Sequence, residues 1–339
     1  MKAIAKTRPA PGAELIDAPV PHPGEGELLV KVAACGICGS DLHIYEWELG
    51  AERAVSSLPA VLGHEPAGEV VEVGPRVSGF KVGDHVALDP FGQCGQCGHC
   101  TAGRYNFCDN PTRLSGAFAE YCIAPVTNSW MVPKSMDLET AAMLEPFGTG
   151  LHAVELSGLS AGDSAVIEGP GPIGLSAALS ARALGVSSIV ITGLAADAER
   201  LELAGRMGFS TVCASDEDWI HQVRERMPSG GADALFDASG ALDSARRILR
   251  KGGNLVQLGW PARDVSGTEL RSLFFHGVTI IPSRVRRPET WRRAIAMVAS
   301  GAVDLKPMVT HRYDLDHGLE AFELLKARQG VKALIMPQA

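Results

Sequence analysis

The stretch Gly169-Pro170-Gly171-Pro172-Ile173-Gly174 decides the fold of much of this chain. It follows the apolar run Ala165-Val166-Ile167 and opens a helix pattern that continues to Leu184. The three glycines fit G-x-G-x-x-G, in which the first makes the turn, the second lets a pyrophosphate approach the backbone, and the third lets helix pack on strand. Free N–H groups at the helix start attract phosphate. The segment therefore predicts a dinucleotide site.

Short apolar runs alternate with helix patterns on both sides of this turn. Such alternation predicts an α/β fold, a doubly wound parallel sheet with helices on both faces. The first 150 residues read differently, as short strands bounded by Gly and Pro, which suggests a partly open barrel. The runs expected to form the parallel sheet are Ala165–Ile167, Ser188–Ile191, Thr211–Cys213, Ala234–Phe236, Asn254–Leu258 and Val278–Ile281.

The position that normally binds the ribose hydroxyl carries no acidic residue. An acid is expected about twenty residues after the glycines, at the end of the second strand, but that strand ends in Gly193. This leaves room for the 2′-phosphate of NADP, yet Arg200 is the only cation nearby and Asp197 and Glu199 flank it. Instead of binding a 2′-phosphate, Arg200 could be a solvated helix residue or a residue on which the adenine stacks. The coenzyme is therefore written NAD(P), with NAD favoured.

Four cysteines lie close together before these strands, at Cys94, Cys97, Cys100 and Cys108. Thiolates separated by two-residue gaps in a glycine-rich loop can surround a tetrahedral zinc ion. Disulfides are the alternative, but a cytosolic chain rarely keeps them. Because four ligands leave no open position, this zinc is expected to be structural.

A second group of possible metal ligands differs in composition. Cys38 and His43 lie in one loop, His64 and Glu65 follow, and Glu145 precedes the nucleotide region. One Cys, one His and one or two Glu make a mixed-ligand zinc site with a free position, as catalytic zinc requires. Each residue alone is more often structural, so the hypothesis rests on their combination with a nucleotide fold.

Composition excludes several kinds of partner. The chain has 339 residues and a net charge of −8, which disfavours a phosphate-backbone partner such as nucleic acid. No run of eighteen apolar residues suggests a membrane span, and the N-terminus does not resemble a signal peptide. A cytoplasmic protein is expected.

These motifs together resemble the zinc-dependent medium-chain alcohol dehydrogenases, in the sorbitol and threonine dehydrogenase branch. Gly63-His64-Glu65-x2-Gly68 is similar to the zinc signature of that family, and the cysteine lobe, the glycine turn and Phe236-Asp237-Ala238-Ser239-Gly240 also match. The resemblance implies a GroES-like catalytic domain at 1–150 and 285–339, with the zinc lobe at about 90–110. It places a Rossmann domain at 151–284.

The resemblance also implies roles for individual residues. It assigns Cys38 and His64 to a catalytic zinc, with Glu65 a direct or nearby ligand and Glu145 where other members have a third cysteine. It assigns a proton relay to Ser40 and His43, an orienting role toward His64 to Asp41, and nicotinamide or coenzyme contacts to Thr149 and Ser239. Two zinc ions per chain are expected.

The expected reaction is hydride transfer between a secondary alcohol (a polyol, a sugar or an amino alcohol such as threonine) and NAD(P), giving the ketone. The alternatives are a zinc-independent quinone or enoyl reductase of the same superfamily, and a non-catalytic NAD(P) sensor.

Three further segments carry expectations. Val278–Ile281 would be an edge strand that pairs across a subunit interface, which predicts a homo-oligomer, a dimer or tetramer. Phe274 and Phe275 are expected to pack in the core, and the basic run around Arg286 to form a solvated face or a subunit contact.

Overall fold

The chain divides into two units, Met1–Glu145 with Val309–Ala339, and Pro146–Met308. The structure, a computed structural model, describes residues 1–48, 50–55, 57–240, 244–259 and 266–338. The chain thus leaves the first unit once and returns to it near its end.

The helices and strands of the described residues follow in chain order. The strands are β1 (Lys2–Lys6), β2 (Glu14–Asp17), β3 (Glu27–Gly36), β4 (Ala60–Val61), β5 (Glu65–Val73), β6 (His85–Leu88), β7 (Tyr121–Pro125), β8 (Ser129–Met131), β9 (Ser164–Glu168), β10 (Ser188–Gly193), β11 (Ser210–Cys213), β12 (Ala232–Asp237), β13 (Leu249–Gln257), β14 (Thr279–Pro282), β15 (Val309–Tyr313) and β16 (Lys332–Ile335). The α-helices are α1 (Gly39–Tyr45), α2 (Ala51–Ala54), α3 (Gly98–Thr101), α4 (Leu138–Ala142), α5 (Leu144–Leu156), α6 (Pro172–Ala183), α7 (Ala198–Arg206), α8 (Trp219–Glu225), α9 (Ala245–Ile248), α10 (Gly267–His276), α11 (Pro288–Ala299) and α12 (Gly318–Lys326).

The first unit is built on β3, which pairs antiparallel with β5 over most of its length. The larger sheet runs β15-β16-β3-β5-β6-β8, with β7 also on β3, and a smaller sheet runs β2-β1-β4. Buried apolar side chains from the sheets and α12 form one core, among them Ile4, Val30, Phe118 and Phe322. The register sets Gly36 opposite Glu65, so the end of β3 and the start of β5 lie side by side where α1 begins.

The second unit contains a parallel sheet in the order β11-β10-β9-β12-β13-β14, which confirms the six predicted strands. The central strand β9 is buried at every position, as expected of a strand covered by helices on both faces. The chain order reverses between β9 and β12, and Glu168 at the end of β9 pairs with Asp237 at the end of β12. A ligand crevice forms where a doubly wound sheet reverses in this way.

The second unit extends beyond the boundary expected at residue 284, because α11 packs within it. Thr290 is fully buried and donates a 2.6 Å hydrogen bond to Glu155 on α5, and Trp291 is only 1% exposed. These contacts give residues 285–308 their place beside the parallel sheet, so the contact boundary falls after Met308 instead.

Two side-chain expectations were wrong. Phe274 and Phe275 are 78% and 76% exposed, because it is Leu273 on α10 that turns toward the core. Arg286, expected on a solvated face, is 6% exposed and lies over the ring of Trp291 at 5.6 Å. A guanidinium can be buried where an aromatic face and hydrogen-bond acceptors replace its water.

No helix in the described ranges has both the length and the apolar character needed to cross a bilayer.

Candidate metal centre and nucleotide site

The loop from β3 into α1 places Cys38 at the helix N-cap, and Asp41 fixes it there. Asp41 is 1% exposed, and its Oδ2 accepts the backbone N–H of Cys38 at 2.9 Å. A carboxylate bonded to a free N–H at a helix start stabilises the first turn. The conformation that presents the Cys38 thiol is therefore set by a charged side chain three residues away.

The same carboxylate orients His64. Its other oxygen lies 3.2 Å from His64 Nδ1, which leaves Nε2 of the ring for another partner. The backbone before the histidine is also constrained, since Gly63 has φ +92° and a Cβ there would lie 2.6 Å from the Phe118 ring. Only glycine fits this conformation and this contact, so His64 has a defined direction.

Cys38, His64 and Glu65 form one group whose ligand atoms lie within 4.8 Å of one another. Glu65 is 1% exposed, and its Oε1 has no hydrogen-bond partner among the described atoms. A buried carboxylate oxygen without a partner is costly unless a cation takes the place of its water. The donor set of sulfur, imidazole and carboxylate suits zinc, and these residues therefore fit the ion expected from the sequence.

Glu145 does not belong to that group in the described part of the chain. It is 7% exposed near the start of α5, and its charge is one of those that raise the pKa of Lys332. Glu145 therefore lies near the group without joining it.

The protonation of His64 reflects its neighbours. Burial lowers the pKa of the imidazole, but the Asp41 carboxylate and Cys38 outweigh it and raise the pKa well above its ordinary value. A zinc ion would compete with the proton for the same ring, so metal binding at this group releases protons.

Ser40 and His43, the expected proton relay, have different surroundings. Ser40 Oγ lies 3.4 Å from His64 Nε2, beside the candidate metal ligands. His43 Nδ1 lies 2.6 Å from Glu48 Oε2, and both of these side chains are more than half exposed. Ser40 is thus next to the ligand group, whereas His43 is at the surface.

Cys94, Cys97, Cys100 and Cys108 form a second group, also within 4.8 Å of one another. Backbone N–H groups point at the sulfurs, and those of Gln96 and Cys97 lower the pKa of Cys94 to about 6. Burial has the opposite effect on Cys100 and raises its pKa to about 12. Four sulfurs around zinc at about 2.3 Å lie about 3.8 Å apart; Cys94 and Cys100 are 4.0 Å apart. The group fits a closed tetrahedral zinc site.

In the second unit, the glycine turn has the geometry that phosphate binding requires. Gly169 has φ +105°, and a Cβ on Gly174 would lie against the Gly169 carbonyl and 3.2 Å from Ile167. A Cβ on Gly171 would meet open space, so a ligand can approach there. Gly171 caps α6 without a side-chain bond, and Pro172 and Ile173 begin the helix, which leaves helix N–H groups for an anion.

The end of β10 has no room for the missing acid. A Cβ on Gly193 would lie 2.9 Å from the Pro170 ring and 3.2 Å from Asp197 Cβ. Asp197 is buried and accepts the N–H of Leu194 at 3.1 Å. Arg200 lies 3.8 Å from Asp197, and its side chain is 16% exposed, so it is not the solvated residue that one interpretation assumed.

Ser239 and Thr149 are held by charged neighbours in the same unit. Asp237 accepts the N–H of Ser239 at 2.9 Å and that of Gly240 at 2.7 Å, which shapes the turn after β12. Thr149 accepts a 2.6 Å hydrogen bond from Arg286. Both side chains thus have defined positions near the carboxyl ends of the sheet.

Comparison with known proteins shows the family of the chain. Residues 24–134 match the family described as the alcohol dehydrogenase GroES-like domain, and residues 172–300 match the zinc-binding dehydrogenases. The chain belongs to the zinc-dependent medium-chain alcohol dehydrogenases. Its fold is accordingly a GroES-like domain joined to a Rossmann domain, and the chain is an oxidoreductase acting on CH–OH donors with NAD(P).

Similar proteins of this family span the whole chain. L-threonine 3-dehydrogenase from Pyrococcus abyssi is 38% identical, covering 99% of this chain and 98% of the relative. Sorbitol dehydrogenase from Halalkalibacterium halodurans is 34% identical, with 99% of each covered. Among solved structures, a zinc-binding dehydrogenase from Sinorhizobium meliloti bound to NADP has a TM-score of 0.89, 32% identity and 99% coverage of both chains.

Sequence analysis missed two buried cations that contact residues of these sites. Lys332 lies 2.6 Å from Glu65, and Arg286 bonds Thr149. Lys332 begins the apolar run Lys332-Ala333-Leu334-Ile335. A lysine in such a run could have predicted a buried cation with an acidic partner. Arg286 had no comparable signal, because it stands among other arginines.

The four-cysteine lobe is expected to hold one zinc ion. Cys97→Ser should lower the zinc content by about one ion per chain and lower Tm by several degrees, since 1 kcal/mol corresponds to roughly 2–4 °C in a domain of 150–250 residues. Metal analysis and thermal unfolding measure both. Cys213→Ser, outside either group, is the control and should keep the zinc. Unchanged zinc in Cys97→Ser would contradict the assignment.

We call Cys38, His64 and Glu65 the mixed group. Asp41→Asn should weaken its zinc binding by about 10- to 100-fold, because partners that orient metal ligands contribute that much to metal affinity. Competition with a chromophoric chelator gives the affinity. Glu48→Gln, an exposed acid on the neighbouring histidine, is the control and should bind zinc as the unsubstituted protein does. Equal affinity in Asp41→Asn would show that the carboxylate does not orient His64.

Proposed function

We propose that this chain oxidises a secondary alcohol group of a polyol or an amino alcohol to the ketone, with NAD(P) as hydride acceptor and zinc at Cys38, His64 and Glu65. The observation that carries the proposal is a sulfur, an imidazole and a buried carboxylate held together, the carboxylate with an unpartnered oxygen, in one chain with a glycine turn open at Gly171. Three ligands leave a position for the substrate oxygen.

When bound, zinc supplies a Lewis acid that polarises the substrate hydroxyl, and the nicotinamide accepts the hydride. The chain's own residues do the rest. Asp41 keeps Nδ1 of His64 occupied, so that Nε2 faces the ion. Ser40 Oγ, beside His64, takes the hydroxyl proton as it passes its own toward His43. His43 and Glu48, both more than half exposed, release a proton to water.

Glu145 lies outside the group of Cys38, His64 and Glu65. We propose that it contacts the substrate or exchanges with Glu65, a role consistent with its burial at the start of α5. In the nucleotide unit, the turn at Gly169, Gly171 and Gly174 holds the pyrophosphate on the α6 N-terminus. Thr149 and Ser239 are proposed to contact the coenzyme.

The second zinc ion is proposed to be structural, bound by the four cysteines, so that the chain carries two. All four are free thiols in the structure. With no open position, this ion fixes the lobe and takes no part in the reaction.

NAD is the proposed coenzyme. A 2′-phosphate needs a cation that is not already neutralised, and Arg200 faces Asp197 at 3.8 Å. The relative from Sinorhizobium meliloti was solved with NADP, so both coenzymes belong in the test.

We also propose a homo-oligomer that pairs β14 with the same strand of a second copy. β14 is the last strand of its sheet, and three of its four residues are exposed. On α10, which precedes β14 in the chain, Phe274 and Phe275 expose an aromatic pair with ring centroids 5.5 Å apart. An apolar edge of this kind invites pairing, and a two-fold axis lets the same patch meet itself.

The central test is a substrate panel on zinc-loaded protein, with threonine and several polyols, each with NAD and NADP. We expect turnover with at least one class and a higher kcat/KM with NAD. Cys38→Ser should lower kcat by at least about 10²-fold, because the lost Lewis acid is worth several kcal/mol, while coenzyme binding measured by fluorescence stays intact.

Full activity in Cys38→Ser would instead favour a zinc-independent reductase. No turnover anywhere in the panel, at full zinc content, would favour a non-catalytic NAD(P) sensor. A higher kcat/KM with NADP would reverse the coenzyme assignment.

Ile280→Lys should shift the protein toward the monomer, because a charge on the β14 edge cannot be buried against its copy. Light scattering after size-exclusion chromatography gives the mass. Val82→Lys, at an exposed apolar position in the other unit, should leave the mass unchanged. A monomeric unsubstituted protein would end the proposal.

A further inference from the structure

A fully buried lysine contacts the candidate metal centre from a strand near the end of the chain. Lys332 and Glu65 are each 1% exposed, and Nζ of the lysine lies 2.6 Å from Glu65 Oε2. The same ammonium donates to the carbonyl of Ile37 at 2.9 Å, directly before Cys38. The lysine therefore touches the carboxylate and the loop that carries the thiol.

The sheet brings these two side chains together across β3. Gly36 at the end of β3 pairs with Glu65 of β5 on one side and with Leu334 of β16 on the other. A Cβ at Gly36 would lie against Glu65 Oε2 and 3.3 Å from Lys332 Cδ. The absence of a side chain at Gly36 therefore opens the space in which the lysine and the glutamate meet.

The two oxygens of Glu65 have different surroundings. Oε2 is bonded to Lys332, whereas Oε1 is buried with no hydrogen-bond partner among the described atoms. A carboxylate whose charge is already balanced by an ammonium is a weaker donor than one whose charge is not. An ion beside Cys38 and His64 would therefore share Glu65 with the lysine.

We propose that Lys332 is a positioning residue of the metal centre, which holds Glu65 by one oxygen and weakens its bond to the ion. Glu65 would then hold the ion less firmly than a carboxylate without an ammonium partner does. This inference rests on the proposed function, since it requires the ion at Cys38, His64 and Glu65.

The test compares Lys332→Met and Lys332→Arg with Lys6→Met. Lys6 is also fully buried, but its ammonium donates to backbone carbonyls of Ala10, Gly12 and Tyr45, so it controls for the loss of a buried lysine as such. The zinc bound at Cys38, His64 and Glu65 is identified as the difference in zinc content between the unsubstituted protein and Cys38→Ser. Its affinity is measured by chelator competition, and Tm is measured with and without metal.

In Lys332→Met we expect zinc to bind about tenfold more tightly, because Glu65 loses its competing cation and the ion alone balances it. The rise in Tm on zinc loading should exceed that of the unsubstituted protein. With cobalt in place of zinc, the visible absorption should change, since the carboxylate becomes a constant ligand. Lys332→Arg should restore all three values, and Lys6→Met should leave the affinity unchanged.

A merely structural lysine would give the opposite pattern, in which Lys332→Met lowers Tm equally with and without metal and leaves affinity and absorption unchanged. That result would overturn the inference alone. If Lys332→Met does not fold, the zinc affinity of Glu65→Gln is compared with that of the double variant Glu65→Gln with Lys332→Met. Equal affinities support the inference, because the lysine then acts only through Glu65. A further change in affinity in the double variant overturns it. If the unsubstituted protein loses no zinc on Cys38→Ser, the proposed function fails as well.

Discussion

The carboxylate of Asp41 is the contact on which the arrangement of the metal centre depends. It accepts the backbone N–H of Cys38 and contacts the ring of His64, so one buried charge sets the helix start that presents the thiol and the direction of the imidazole. Cys38 and His64 come from separate elements, α1 and the turn before β5. The pairing of β3 with β5 brings the two backbones together, and the shared carboxylate then sets the directions of both side chains.

That carboxylate is one member of a larger set of buried charges around the same point. Asp41, Glu65 and Glu145 are negative and Lys332 is positive, and each is at most 7% exposed. Three buried carboxylates exceed the positive charge of Lys332 and of a protonated His64 in a medium that screens charge poorly. A divalent cation offsets that excess, and so the electrostatics favour the same ion as the geometry does.

The parallel sheet and the four-cysteine group could be predicted from the sequence because their signals are local, whereas the group of Cys38, His64 and Glu65 was inferred from its combination with a nucleotide fold. Each strand was a short apolar run, and Cys94 to Cys108 lie within one loop. What the sequence could not show depends on contacts between distant positions. Lys332 meets Glu65 only because β16 joins the sheet beside β3, and Arg286 is buried only because Trp291 and Thr149 surround it. Phe274 and Phe275 show the reverse error, since apolar character does not reveal which side of a helix faces the core.

At the end of β10, a glycine stands where an acidic residue is expected, and the packing around it gives the reason. The ring of Pro170 in the glycine turn fills the space beside Gly193 where an acidic side chain would begin. An acidic side chain at that position would therefore clash with Pro170, which accounts for the glycine at the end of β10. Asp197 follows in the next turn, where its carboxylate accepts the N–H of Leu194 and faces Arg200. Any carboxylate that contacts a ribose at this edge would therefore come from another position, because position 193 accommodates only glycine.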